Sequence, residues 1–181
     1  MSMFLRWKGE KMSNGYNFTF YPAKSQENKF CRNLRYTRAN ITGKKLYGIG
    51  LDPGVNFGVV FLRGTHADIY HGALVKQTEP GMYGVVAYKF IHEFILNSDV
   101  GRMVIEGAAY GAKFRQVLLA EVRAGYFIGA FMRGVRPIIV PPPTIRKKVF
   151  GDGKTQAGEE WPQLNHNAAD ALSMAIYASI I

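Results

Sequence analysis

The chain has 181 residues, enough for one domain with a real core and short for two. Hydrophobic residues make up 48% of it, yet no run of 18 apolar residues occurs, so it reads as a folding chain without a membrane span. The net charge of +10 is unevenly placed: residues 1–45 hold ten Lys/Arg and two Glu, whereas residues 46–181 carry only +2.

The first 45 residues therefore read as a basic arm. Such an arm commonly contacts phosphate backbones; a solvated tail is the plainer reading, and its Arg-rich, acid-poor character also fits an organelle transit segment. It lacks the apolar stretch of a secretory signal. The one cysteine, Cys31, excludes an internal disulfide framework and fits a reducing compartment. Within the arm, Tyr16 to Tyr21 alternates polar and aromatic residues and predicts one strand; the rest reads as irregular.

From Leu46 the pattern sharpens. Leu46 to Leu51 predicts a strand that ends at the turn Asp52-Pro53-Gly54. Phe57 to Leu62 predicts its hairpin partner, and a third strand is expected around Asp68 to Val75. Pro80 to Leu96 has helical periodicity, with Val85, Val86, Phe90, Ile91, Phe94 and Ile95 on one side. Met103 to Ile105 predicts a short buried strand ending at Glu106, followed by a long helix from Ala112 to Met132. Arg136 to Val140 predicts another strand, stopped by three prolines. One or two helical turns over Thr144 to Val149, a loop at Gly151 to Lys154, and a last helix from Asn167 to Ile180 complete the chain. Three strands in a meander followed by strand-helix alternation imply a mixed sheet with helices on its faces.

Three carboxylates stand out by context. Asp52 follows an apolar strand, Glu106 ends another, and Asp170 lies in a helix that is nearly apolar all round. On a helical wheel Leu172, Ala175, Ile176 and Ser179 form one stripe, with Met174 and Tyr177 opposite them beside Asp170. A carboxylate in such a place costs several kcal/mol unless it is paired or binds a metal. Mg²⁺ suits lone carboxylates plus a phosphate, and two ions about 3.5–4 Å apart promote in-line hydrolysis at phosphorus. Each residue also has a plainer reading: Asp52 as a turn residue, Glu106 as a partner of Arg102 or Lys113, Asp170 as part of a cap behind Asn167.

These segments resemble the RuvC-type Holliday junction resolvases. Tyr47-Gly-Ile-Gly-Leu-Asp52-Pro-Gly54 resembles their opening strand motif and Val104-Ile-Glu106-Gly107 their second. Val140-Pro-Pro-Pro-Thr144, with Lys147, Lys148 and Gly151-Asp-Gly-Lys154, resembles the segment before their last motif, and Asn167-Ala-Ala-Asp170-Ala-Leu172 resembles that motif. The likeness covers about residues 46–181, leaving 1–45 as a separate arm.

The resemblance implies a ribonuclease H-like α/β fold, a mixed five-stranded sheet with helices on both faces. It implies a homodimer that uses Mg²⁺ or Mn²⁺, two ions per site, to nick four-way DNA junctions in pairs, leaving 5′-phosphate and 3′-hydroxyl ends. Asp52, Glu106 and Asp170 would hold the metal, and Lys154 would sit near the scissile phosphate. Tyr110, Lys113, Arg146, Lys147 and Lys148 would contact DNA, and the helix Ala112 to Met132 would supply much of the dimer interface. A bacterial or phage-infected cytoplasm is the implied setting. The family's fourth ligand, Asp or His three residues before the last Asp, is Asn167 here; His166, one step back, shares a helix face with Asp170. Three other classes remain open: a different nuclease of this fold, transposase-like or RNA-processing; a non-catalytic junction binder, suggested by Asn167; and a nucleotide-binding ATPase, whose Gly-x-Asp-x-Gly motif Gly50 to Gly54 satisfies but whose two domains this length does not hold.

Overall fold

The structure is a computed structural model and describes residues 16–95, 101–107 and 116–181. Eight strands are joined in one sheet: β1 Asn17–Phe20, β2 Lys24–Ser25, β3 Cys31–Thr42, β4 Leu46–Asp52, β5 Asn56–Gly64, β6 His66–Leu74, β7 Arg102–Glu106 and β8 Arg136–Val140. Their order is β1-β3-β6-β5-β4-β7-β8, with β2 also paired to β3. Strands β4, β5 and β6 form an antiparallel meander, whereas β7 lies parallel to β4 and β8 parallel to β7. Those parallel steps need crossovers, which α1 (Met82–Phe94) and α2 (Gln116–Phe131) provide.

Helices cover both faces, as expected. One core lies between the sheet and α3 (Pro142–Phe150), α4 (Ala157–Glu160) and α5 (His166–Ile180), and contains Val60, Ile69, Val104, Ile145, Trp161 and Leu172. The other lies under α1 and α2 and contains Leu51, Phe57, Phe61, Phe90, Ile105 and Tyr126. Among the described residues no helix is long and apolar enough to cross a membrane.

Two expectations change. The sheet has eight strands, not five, because the described part of the arm is not irregular. Its residues 31–42 form the longest strand, β3, which pairs antiparallel with β6 along nearly its whole length. An alternation of buried and exposed positions holds that strand in place, with Cys31, Leu34, Thr37, Ala39 and Ile41 as its buried set, but a bulge between Arg32 and Arg35 shifts the phase. Second, Pro142 begins α3 rather than only ending a strand, because proline's fixed φ and missing N–H suit the first turn of a helix.

The last helix is seated by glycines. A Cβ at Gly50 would collide with the carbonyl oxygen of Ala171, one at Gly58 with that of Asn167, and one at Gly48 would lie within 2.5 Å of that of Ala175. Glycine at these three positions lets α5 lie directly on β4 and β5. This close approach brings a helix-borne side chain down to the ends of the central strands.

Candidate active site

Asp52 is the last residue of β4 and Glu106 the last of β7. The two strands are parallel neighbours with Leu51 beside Ile105, so the carboxyls emerge side by side, and a hydrogen bond joins them. Asp170 comes from α5. Its helix begins at His166 behind an Asn165 cap whose side chain accepts the Asn167 N–H, so Asp170 lies beyond the first turn and does not cap the helix. Asp170 is only 7% exposed. The expectation of a cap at Asn167 is thereby corrected.

The three carboxylates act on one another. Burial raises the pKa of Asp52 well above its ordinary value, and the charges of Glu106 and Asp170 raise it further. Burial and then Asp170 raise that of Glu106, and burial raises that of Asp170. Desolvation and like-charge repulsion thus both oppose ionisation at this one place. Two basic side chains temper it. Arg146, half-buried on α3, lies close enough to Glu106 and Asp170 to favour their charged forms and shares a small cavity with them. Arg123 on α2 donates from Nε to the Glu106 carbonyl at 3.0 Å and favours ionisation of both Glu106 and Asp52.

Of the other expected residues, His166 places Nε2 3.2 Å from an Asp170 carboxylate oxygen, one helical turn away. His166 is therefore beside the third carboxylate. Lys147 and Lys148 are exposed on α3. Lys154 is exposed in the loop after α3, and only its backbone is fixed, by the Asp152 side chain, which accepts from the Lys154 and Thr155 N–H groups at 2.7 Å. The charge that favours ionisation of Glu106 and Asp170 is that of Arg146. Glu106 makes no ion pair with Arg102, whose guanidinium instead donates to the Ile181 carbonyl. Tyr110 and Lys113 lie outside the described residues. Arg123 is a further residue of the site that the sequence reading did not include; it shares its helix with Glu121, so no lone charge marked it.

The donor set fits a hard divalent cation, because three carboxylates that oppose one another's ionisation gain most from a positive ion among them. Among the described residues no three acidic, histidine or cysteine side chains are gathered closely enough to hold a metal ion as they stand. The donors stand as a hydrogen-bonded pair, Asp52 and Glu106, with Asp170 turned to His166.

No protein-family model and no curated protein sequence matches the chain. Solved structures do, two of RuvC among them. The Thermus thermophilus RuvC structure aligns with a TM-score of 0.55 at 23% identity, over 71% of this chain and 90% of that one. T. thermophilus RuvC in complex with a Holliday junction substrate aligns with a TM-score of 0.53 at 19% identity, over 71% and 89%. The fold is RuvC-like. At these identities the likeness concerns the path of the chain, and the chemistry has to be argued from the residues.

Proposed function

We propose that this chain is a divalent-cation-dependent endonuclease that resolves four-way DNA junctions by paired hydrolysis of phosphodiester bonds, leaving 5′-phosphate and 3′-hydroxyl ends. The observation that carries this reading is the convergence of Asp52, Glu106 and Asp170 from two strand ends and one glycine-seated helix, at the place where burial and repulsion make an added cation most favourable. Mg²⁺ or Mn²⁺, when bound, would supply an activated water and charge neutralisation at phosphorus.

The chain's own groups have distinct tasks. Asp52, central to the triad, and its neighbours Glu106 and Asp170 would hold two ions, with His166 beside Asp170 as the fourth donor. Arg146 would stabilise negative charge on the phosphoryl oxygens in the transition state, the role of a fixed cationic clamp. Arg123 acts through Glu106, whose backbone it fixes. Lys147, Lys148 and Lys154, all exposed on the side of α3 and its following loop, would hold flanking phosphates.

Two copies are needed for paired nicks, and α2 offers a surface for pairing. Its face toward α1 packs closely, a Cβ at Gly125 colliding with the Gly84 carbonyl. Its other face exposes Val117 (79%), Ile128 and Phe131 (63%), continued by Met132. An apolar stripe of this kind marks an interface rather than a solvated face.

The test is incubation of the purified protein with labelled four-way junction, duplex, single-stranded DNA and RNA–DNA hybrid in Mg²⁺ or Mn²⁺. Symmetric nicks confined to the junction are expected. Equal cutting of the hybrid, or binding of the junction without cutting it, would sink the reading.

A further inference from the structure

The register of the sheet places one basic residue of the arm in line with the carboxylates. Asp52 is directly opposite Gly58, Gly58 opposite His71, and His71 opposite Arg35. Directly opposed residues project from the same face of a sheet. Arg35, His71, Gly58 and Asp52 therefore form one row on the face that carries α5. Gly58 has no side chain and lies beneath the Asn167 backbone, so the row passes under the first turn of α5, the positive end of its dipole.

The row has a consistent chemical character. Arg35 is exposed and makes no ion pair among the described residues. His71 is half-buried, and the charge of Arg35 reaches it. No acidic side chain stands in the row between Asp52 and Arg35. The neighbouring arginine on the same strand is different: Arg38 lies on the opposite face and opposite Asp68, which already binds Tyr36 and Arg63. The bulge after Arg32 accompanies this phase, since a one-residue slip would exchange the faces.

Three strand steps of about 4.8 Å separate Asp52 from Arg35, about 15 Å in all. A DNA strand passes about two to four phosphates over that length, depending on how extended it is. We propose that Arg35 is a phosphate-binding residue of the DNA site, holding the strand that is cut at a backbone phosphate two to four nucleotides from the scissile bond, with His71 lining the path between. The arm is then part of the substrate-binding surface. This rests on the nuclease reading above.

The experiment measures binding of a four-way junction by fluorescence anisotropy in EDTA, across a range of salt, for wild type and for Arg35→Ala, Arg35→Lys and Arg38→Ala. Arg35→Ala is expected to weaken binding about tenfold and to reduce the salt slope by about one, while Arg38→Ala changes affinity less than about twofold. Arg35→Lys recovers most of the loss, which excludes a folding defect. Single methylphosphonate substitutions around the cut then locate the contact: one two to four nucleotides away weakens wild type and leaves Arg35→Ala unaffected. Equal behaviour of Arg35→Ala and Arg38→Ala, or no phosphate coupled to Arg35, overturns the proposal while wild-type junction cleavage leaves the nuclease reading standing. A wild type that does not cut the junction removes both.

Discussion

Helices α5 and α2 have similar sequences in one respect: each is mostly apolar with very few charges. They meet opposite fates. Helix α5 is buried on nearly every side, because glycines in β4 and β5 remove the side chains that would hold it off the sheet, and α3 and α4 cover it. Helix α2 is buried on one side only and leaves Val117, Ile128 and Phe131 exposed. In the first case a charged residue inside an apolar helix needs a partner, and Asp170 has His166 beside it. In the second, apolar residues are left exposed, the pattern from which the pairing surface is proposed. The same composition means different things according to what covers it.

Four changes break or sharpen that comparison. The largest effect is expected from Gly50→Val, whose side chain would occupy the space of the Ala171 carbonyl; a loss of about 3 kcal/mol in urea unfolding, with loss of cleavage, is the expected result. Gly158→Ala, where nothing lies within 4 Å of the added Cβ, is the matched control and should change stability by less than about 0.5 kcal/mol. Equal stability of the two variants would show that α5 is not seated on the sheet as described.

Asp52→Asn should reduce cleavage by at least about 100-fold while making the metal-free protein more stable, by about 1 kcal/mol or 2–4 °C in melting temperature, because it removes the most strongly opposed charge of the triad. Wild type should gain melting temperature on adding Mg²⁺ and the variant should not. A variant less stable than wild type without metal would show that the three carboxylates do not repel one another.

A smaller effect follows from pH. The ordinary values of Asp52, Glu106 and Asp170 are 3.8, 4.5 and 3.8, and folding raises all three. The folded state therefore binds protons more tightly than the unfolded state at these groups. Their contribution is most favourable below about pH 4 and declines as pH rises through the raised values. Metal-free wild type should lose stability over that range relative to Asp52→Asn, and excess Mg²⁺ should flatten the difference. Parallel curves without metal would remove the linkage.

The smallest effect on stability is expected on α2. Phe131→Arg lies on the exposed stripe, so it should unfold at nearly the same urea concentration as wild type, within about 0.5 kcal/mol per subunit at matched oligomeric state. Analytical ultracentrifugation should show wild type as a dimer and the variant as a monomer. A wild type that sediments as a monomer would remove the pairing role of this stripe.

The three carboxylates and their supporting elements were legible in the sequence because each signal is local. A β-strand that ends on Asp-Pro-Gly, an apolar triplet that ends on Glu, and a helix apolar on every side but for one Asp can all be read within about a dozen residues. The helix boundaries needed more. The Asn165 cap is visible only once Asn165 is known to accept the Asn167 N–H, which moves Asp170 out of the capping turn.

What the tertiary structure decided is whatever depends on partners distant in sequence. Strand β3 reads as irregular because its hydrophobic pattern is weak and is interrupted by a bulge; pairing with β6, far along the chain, supplies the order that propensity does not. Arg146 and Arg123 carry no local mark that places them beside Glu106. The alignment of Arg35 with Asp52 exists only through two intervening strands. The sequence alone determined which carboxylates need a partner, since the cost of a lone charge in an apolar element is set locally. Only the fold determined which charges answer them, since a salt bridge or a phosphate contact depends on distance in space, and chain order does not specify that.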